Sequence, residues 1–382
     1  MKDKLFKIFH FPLGEDNATN ILRVDNLARV VNKQGLADFY IYREEDELTD
    51  AQVKRTIKEA DVILARELPT KIMLMLRKEF PRKRVCYDLD DNPWQVLPSS
   101  SHYRTMGTQD IVVKTKNGTR PLWATGITKD FNKYLNMWVL QQTEFMVRQA
   151  DLVTVPNNRL AKLISEEYEQ NVTVIPFYID FINYPDIVVK DNTKKKDEFR
   201  IVWNGGSSHG QDLNSIKDPL GKLMKDEDIT FVSIGYWHEP FNKVLSKKQV
   251  ITRDWVGTNT LPYVIKSYEP DIAIIPLSGV EHFNMYKSPM KFLEYAAMKI
   301  PMVVKDDLPY NELAQDGENC LIYKTEKEFI EAIKKLKRDP ILRAKLAGNA
   351  YRLAKKFSLE DRAKDIIGVY KDFKASYKKI TR

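Results

Sequence analysis

Short apolar runs alternate along the chain with stretches whose apolar residues recur every three or four positions. Runs at Leu5–Phe9, Phe39–Tyr42, Asp61–Ala65, Arg84–Asp88, Leu152–Pro156 and Val172–Pro176 read as strands. Between them, Thr19–Lys33 places Ile21, Val24, Leu27, Ala28 and Val31 on one helical face. Asp50–Glu59, Thr70–Glu79 and Asn158–Tyr168 follow the same period. The segment 92–127, rich in Ser, Thr, Gly and aromatics, breaks the rhythm before a helix at about 128–149, and reads as a long functional or mobile loop. Over 181–198 the periodicity fades and charge gathers, which marks a linker. Alternation resumes with strands at Arg200–Trp203, Ile229–Ile234, Val250–Trp255, Asp271–Pro276 and Met302–Lys305. Helices are expected at 212–225, near 259–268, over Pro289–Lys299, and from there to the end, including Pro340–Lys356 and Ser358–Lys378. Strand–helix alternation of this kind builds parallel sheets covered on both faces. The expectation is an α/β chain of two tandem doubly wound domains, 1–180 and 199–357, with a C-terminal helix over 358–382 and a ligand cleft between the domains.

Composition narrows the class. The chain has 382 residues, more than the ~250–300 that one core serves. With 43% hydrophobic residues it is not a disordered chain, and no run of 18 or more apolar residues exists to span a bilayer. Lys7 and His10 interrupt the N-terminal apolar run, so it fails as a signal peptide and reads as a first strand. Cys86 and Cys320 exclude a disulfide framework and a cysteine zinc site, and the expectation is a reduced, cytoplasmic protein. The net charge of +8 is unevenly placed: residues 1–180 carry 26 basic and 25 acidic side chains, 181–320 carry 17 and 20, and 321–382 carry 18 and 8.

Two stretches suggest an anion site. In 286–304, YKSPMKFLEYAAMKIPMVV, Ser288 reads as a helix cap and Pro289 as the first helical residue, leaving free N–H groups that attract phosphate. Lys287, Lys291 and Glu294 share one helix face, two cations near the start and a carboxylate a turn deeper. That set suits a diphosphate joined to a ribose diol, or else is a solvated Lys–Glu face of an ordinary amphipathic helix. In IVWNGGSSHGQDL, 201–213, Gly205 and Gly206 end a strand ahead of Ser207, Ser208 and His209, a turn whose amides can cradle an anion or simply join strand to helix.

Together these stretches resemble the nucleotide-sugar half of a GT-B glycosyltransferase of the GT4-like group (glycosyl transferases group 1). The resemblance lies in Lys287-Ser288-Pro289-Met290-Lys291-Phe292-Leu293-Glu294-Tyr295-Ala296-Ala297 and Ile300-Pro301-Met302-Val303-Val304, with Pro309-Tyr310 downstream and the strand Asp271–Pro276 upstream. It covers about 200–340 well and the N-terminal half more loosely, through YDLDD and ADLVTVPNNRLA. It implies two Rossmann-like domains, with Glu294 on the ribose hydroxyls and Lys287, Ser288 and Lys291 toward the diphosphate. Gly205, Gly206 and His209 would line the same cleft, and Arg253-Asp254-Trp255-Val256 would lie near the base. Many such enzymes carry a second acid eight residues before the ribose glutamate, where this chain has Tyr286. The last helix of a GT-B protein commonly crosses back to the first domain, which would bring the basic C-terminal stretch beside the acceptor cleft, unless it is a solvated face.

Asp88, Asp90 and Asp91 in YDLDDN end a strand. Clustered carboxylates can hold a divalent metal, cap the turn before Pro93, or orient and deprotonate an acceptor hydroxyl; the two-domain reading favours the last, from Asp90 and Asp91. His10 and Gly14 follow the first strand and can approach the transferred sugar, and His102 lies in the insertion; each is otherwise a structural polar group. Arg23 can reach an anion but reads as a surface residue.

The expected activity is transfer of a hexosyl or pentosyl group from a nucleoside-diphosphate sugar, a UDP-sugar above all, to an acceptor hydroxyl, with cationic side chains stabilising the leaving diphosphate and no obligatory metal. The resemblance implies retention at the anomeric carbon without a protein nucleophile. The acceptor is open among a polyanion such as DNA carrying a hydroxylated base, a cell-surface glycan, a lipid at an anionic membrane, or a protein. Rival readings are a nucleotide-sugar epimerase or phosphorylase of the same fold, and a non-catalytic nucleotide-binding module.

Overall fold

The computed structural model describes residues 5–11, 18–43, 46–66, 68–96, 103–109, 112–115, 118–121, 131–195, 197–225, 228–278 and 284–380. Gly14 and His102 lie outside them. Two six-stranded parallel sheets carry the chain. The first, ordered β2-β1-β3-β4-β7-β8, uses β1 (Lys7–Phe11), β2 (Asp38–Ile41), β3 (Val62–Ala65), β4 (Arg84–Asp88), β7 (Leu152–Val155) and β8 (Val172–Val174). The second, ordered β11-β10-β9-β12-β13-β14, uses β9 (Phe199–Gly205), β10 (Ile229–Gly235), β11 (Val250–Arg253), β12 (Ile272–Ile275), β13 (Met302–Lys305) and β14 (Leu321–Tyr323).

Unbroken apolar runs form these strands because helices cover both faces. All four residues of β3 and all seven of β9 are buried. Each sheet therefore has two cores. In the first, Phe9, Ile63, Val85 and Val153 face one way, and Ile8, Leu64, Cys86 and Leu152 the other. The order of each sheet reverses once, between β1 and β3 and between β9 and β12. At such a reversal the connections leave to opposite faces and open a crevice at the carboxyl ends of the strands. Those ends hold His10 and Arg66 in the first domain and Gly205 in the second.

The charged stretch before β9 is tied down by Arg200, whose buried guanidinium donates to Glu198, Tyr268 O and Thr193. At its start, Ile179 N donates to Phe357 O and Leu359 N to Ile179 O, both at 2.8 Å, so the two chain crossings between domains meet. Helix Leu359–Ile380 then buries Leu359, Ala363, Ile366, Ile367 and Tyr370 in the core of the first sheet. Its second half runs to the amino ends of the strands. Lys371 reaches Leu36 O just ahead of β2, and Phe373 packs on Arg84, the first residue of β4. The last helix thus packs back on the first domain, and the apolar stripe that fixes its course carries its second half away from the carboxyl ends of the strands.

Two elements escape the pattern. Inside the 92–127 insertion, β5 (Val112–Thr115) and β6 (Gly118–Pro121) pair antiparallel, Thr115 opposite Gly118. The strand β14 has only three residues and continues the sheet at its edge. Among the described residues no helix is long and apolar enough to cross a membrane.

Candidate functional site

The second domain builds its side of the cleft from two adjoining pieces. The strand β9 ends at Gly205; a short turn over Ser207–His209 leads into helix Gly210–Ser215. Beside it, helix Met290–Ala297 packs Phe292, Leu293, Tyr295, Ala296 and Ala297 into the core and leaves Lys291 and Glu294 half-buried, Lys291 reaching the turn. Lys291 Nζ lies 3.3 Å from His209 Nε2 and 5.7 Å from the centre of the Trp203 ring. Tyr295 ties the helix to the strand as well: its hydroxyl oxygen accepts the amide of Asn204 at 3.1 Å. The two motifs that the sequence singled out therefore form one surface.

His209 is fixed as a neutral ring. Its Nδ1–H donates to Asp212 Oδ2 at 2.7 Å, while Asp212 Oδ1 accepts both the amide and the hydroxyl of Ser278. Burial, together with the Lys291 charge, pushes the His209 pKa down to about 4. Burial also lowers Lys291 to about 8, and raises Glu294 to about 7 against the pull of Lys291. Strongly shifted groups of opposite sign at a sheet's switch point mark a candidate ligand site.

The glycines at the carboxyl ends are needed for close approach. Gly235, at the end of β10, has φ +95°, and a Cβ there would lie 2.5 Å from Gly205 O and 3.1 Å from the Trp255 ring. Trp255, half exposed, thus sits beside the Gly205 turn. A Cβ on Gly206 would meet nothing within 4 Å, so that residue faces open space. One expectation is corrected here: the helix starts at Met290 with Pro289 in the cap position, so Ser288 stands one residue outside it and is not the cap. Pro289 has ψ 34°, neither extended nor fully helical, which delays the helix by a residue.

The first domain presents carboxylates. Asp88 accepts from Arg23 at 2.6 and 2.7 Å, from Thr154 at 2.7 Å and from Arg66. Burial works to raise its pKa, but the two guanidinium groups hold it well below the usual carboxylate range. Arg66 also donates to Asp90 Oδ1 at 2.7 Å and to Asn20 at 2.8 Å. Arg23 is therefore a buried ion-pair partner, which corrects its reading as a surface residue. Asp91 takes no arginine among the described contacts. Burial raises its pKa to about 6, opposed by Lys287 of the other domain. His10 is buried in β1 and donates through Nδ1 to Leu64 O at 2.9 Å; its Nε2 has no hydrogen-bond partner among the described residues, and burial lowers its pKa to about 4.

Tyr286 has a structural use that the sequence does not suggest. It is buried in the core of the first domain with Leu160 and Tyr168, and Asn157 donates to its carbonyl at 2.7 Å. Arg159 reaches Met285 O and pairs with Glu312. Lys287, the next residue, is thereby carried to the face opposite Asp91. Sequence reasoning missed Arg66, Asp212 and Arg159. Only Asp212 had a local signal, its spacing of three from His209.

A family model described as glycosyl transferase-like matches residues 218–368. Comparison with the curated proteins gives no match. Among solved structures, sucrose-phosphate synthase of Thermosynechococcus elongatus superposes with a TM-score of 0.63 at 12% identity, over 97% of this chain and 100% of that one. HepE of Anabaena, in complex with UDP-glucose, gives 0.61 at 14% identity over 96% and 99%. WaaG, a glycosyltransferase involved in lipopolysaccharide biosynthesis, gives 0.58 at 12% identity over 95% and 99%. The match to a glycosyl transferase-like family is thus confined to residues 218–368, while the two-sheet architecture of the whole chain is the GT-B fold of these solved structures.

Proposed function

We propose that the chain transfers a sugar from a UDP-sugar to an acceptor hydroxyl held at the first domain. The observation that carries this reading is the placement of Lys291 against His209 in the turn after Gly205, at the switch point of the second sheet, with Glu294 on the same helix beside Lys291 and Lys287 facing Asp91 across the cleft. Glu294 takes the ribose hydroxyls, Lys287 and Lys291 the diphosphate, and Trp255 lies toward the base. Ser288, Gly206 and the ring of His209 complete the cradle, His209 holding Lys291 in place until the diphosphate arrives. During transfer the bond from the anomeric carbon to the diphosphate oxygen breaks and a bond to the acceptor oxygen forms. The two lysines stabilise the charge that develops on the departing diphosphate. Asp91, with its raised pKa, orients the acceptor hydroxyl and takes up its proton, Asp90 holds a neighbouring hydroxyl, and His10 offers Nε2 toward the transferred sugar. Release of UDP from a panel of UDP-sugars, with and without acceptor, tests the reading; an epimerase would convert the donor alone, and a binding module would release nothing.

A pH dependence follows. Binding of UDP needs Glu294 ionised and Lys291 protonated. Affinity is therefore expected to be greatest between about pH 7 and 8, falling below that window as Glu294 takes a proton and above it as Lys291 loses one. Titration calorimetry across the range checks this, and Glu294→Gln removes the carboxyl's contribution to the acid limb.

A further inference from the structure

The donor site leaves open what the rest of the acceptor looks like, and a cavity in the first domain bears on it. A space of about 770 Å³ lies between the carboxyl ends of β3 and β4 and helix Lys133–Gln149. One wall carries Asp90 and Asp91, beside which Lys287 of the other domain stands. The others are largely apolar, built by Leu68, Leu89, Val96, Met106, Trp138 and Val139. Trp138 is 56% exposed, and Leu135, a turn earlier on the same helix, is 54% exposed.

A space of this size takes a ligand of roughly drug dimensions. Its lining discriminates among ligands. A bare sugar would find partners at Thr70, Gln142 and Thr143, but pushed against Val96, Met106 and Val139 it would leave its other hydroxyls unmatched, which is unfavourable away from water. A phosphate-rich body would need cations, yet Arg66 is committed to Asp88 and Asp90, and three aspartates line the space against Arg66 and Lys71. An apolar body gains by leaving water there. Met106 and Trp138 are side chains that adapt to such a body and stack against it.

We propose that this cavity is an acceptor subsite for an apolar body, an alkyl or aryl group joined to the hydroxyl-bearing part of the acceptor, with that hydroxyl presented to Asp90 and Asp91. The assignment rests on the transfer reading above, since it takes those carboxylates as the place of the reacting hydroxyl. Alkyl and aryl groups share the chemistry and differ in shape, and the test separates them.

The full chain is first titrated with UDP and then, saturated with UDP, with methyl, hexyl and phenyl β-glucosides, the hexyl compound below its micelle concentration. Hexyl or phenyl glucoside is expected to bind at least about tenfold more tightly than the methyl compound. A hexyl preference assigns a hydrocarbon chain, and a phenyl preference an aromatic ring. Trp138→Ala and Val96→Asp are expected to shrink the gap below about threefold, with UDP affinity reporting that each variant is folded. Equal binding of all three glucosides, or a gap that survives both substitutions, overturns the subsite. Binding of a hydroxymethylated DNA duplex that exceeds that of every glucoside and is untouched by Trp138→Ala also overturns it. Failure of the wild-type chain to bind UDP in the first titration brings down the transfer reading instead, and the subsite with it.

Discussion

Replacing Asp88 by alanine is expected to cost about 3–5 kcal/mol of stability, the range for removing one partner from a buried ion pair. Arg23 and Arg66 are 4% and 2% exposed, and both guanidinium groups converge on this one carboxylate. Without it, two desolvated cations face each other. Arg23 would keep Ile175 O and the Phe177 ring, and Arg66 would keep Asp90 and Asn20, but none of these is a second buried anion fully shared between them. Chemical denaturation with urea at pH 7 measures the loss. The pH course is a second check. A carboxyl whose pKa is lowered on folding contributes stability that is present above its unfolded pKa and fades as pH falls through the folded value. The gap between wild type and Asp88→Ala should hold from neutral pH down to about 4 and close only below that. Since Arg66 also holds Asp90, the variant loosens the acceptor side of the cleft as well as the fold.

Lys291→Met is expected to lower turnover by about 10²–10³-fold, the effect of removing one preorganised group from developing negative charge in a water-poor site. A steady-state UDP-release assay measures it. The substitution should act on the fold in the opposite sense. Burial lowers the Lys291 pKa, so its ammonium is penalised in the folded state at every pH below the folded value, about 8. Lys291→Met should therefore raise the melting temperature at pH 7 while it removes activity. His209 supplies an independent readout. The Lys291 charge is one of the causes that depress it, so its imidazole should titrate at higher pH in the variant, by NMR of the ring nitrogens. Misfolding would also raise the histidine's titration, by exposing it, but it would lower the melting temperature, so the two readouts taken together separate the cases.

Local periodicity carried most of the fold. The four-residue runs that became β3, β7 and β12 are buried on both faces, and such runs announce themselves without reference to any partner. Elements that depend on a neighbour for their identity did not show. Leu321–Tyr323 is a strand because Val303–Lys305 lies beside it, and the insertion hairpin has too few apolar residues to set a period. The site residues of the second domain were legible for a similar reason: Lys291 and Glu294 are fixed on one face by helix geometry alone. Those of the first domain were less so. Arg23 and Arg66 meet Asp88 across 65 and 22 positions of chain, and an isolated arginine after a helix or strand carries no sign of its partner. Tyr286 illustrates the same limit. Its departure from the acid of related chains was visible, but not its burial in the other domain. The basic C-terminal stretch was visible as charge, whereas its position depends on which face of helix Leu359–Ile380 finds the first sheet.

On the proposed reading, the second domain binds the nucleotide through Glu294 and its neighbours, while the aspartates of the first domain serve the acceptor. Titration of UDP into the wild-type chain, Glu294→Ala and Asp90→Asn at pH 7.5 tests it most directly. Hydrogen bonds to a charged partner are worth about 1.5–3 kcal/mol, so Glu294→Ala should bind UDP about 10- to 150-fold more weakly, with Asp90→Asn within about twofold of wild type. Equal UDP affinity in wild type and Glu294→Ala would rule out Glu294 as the nucleotide's partner.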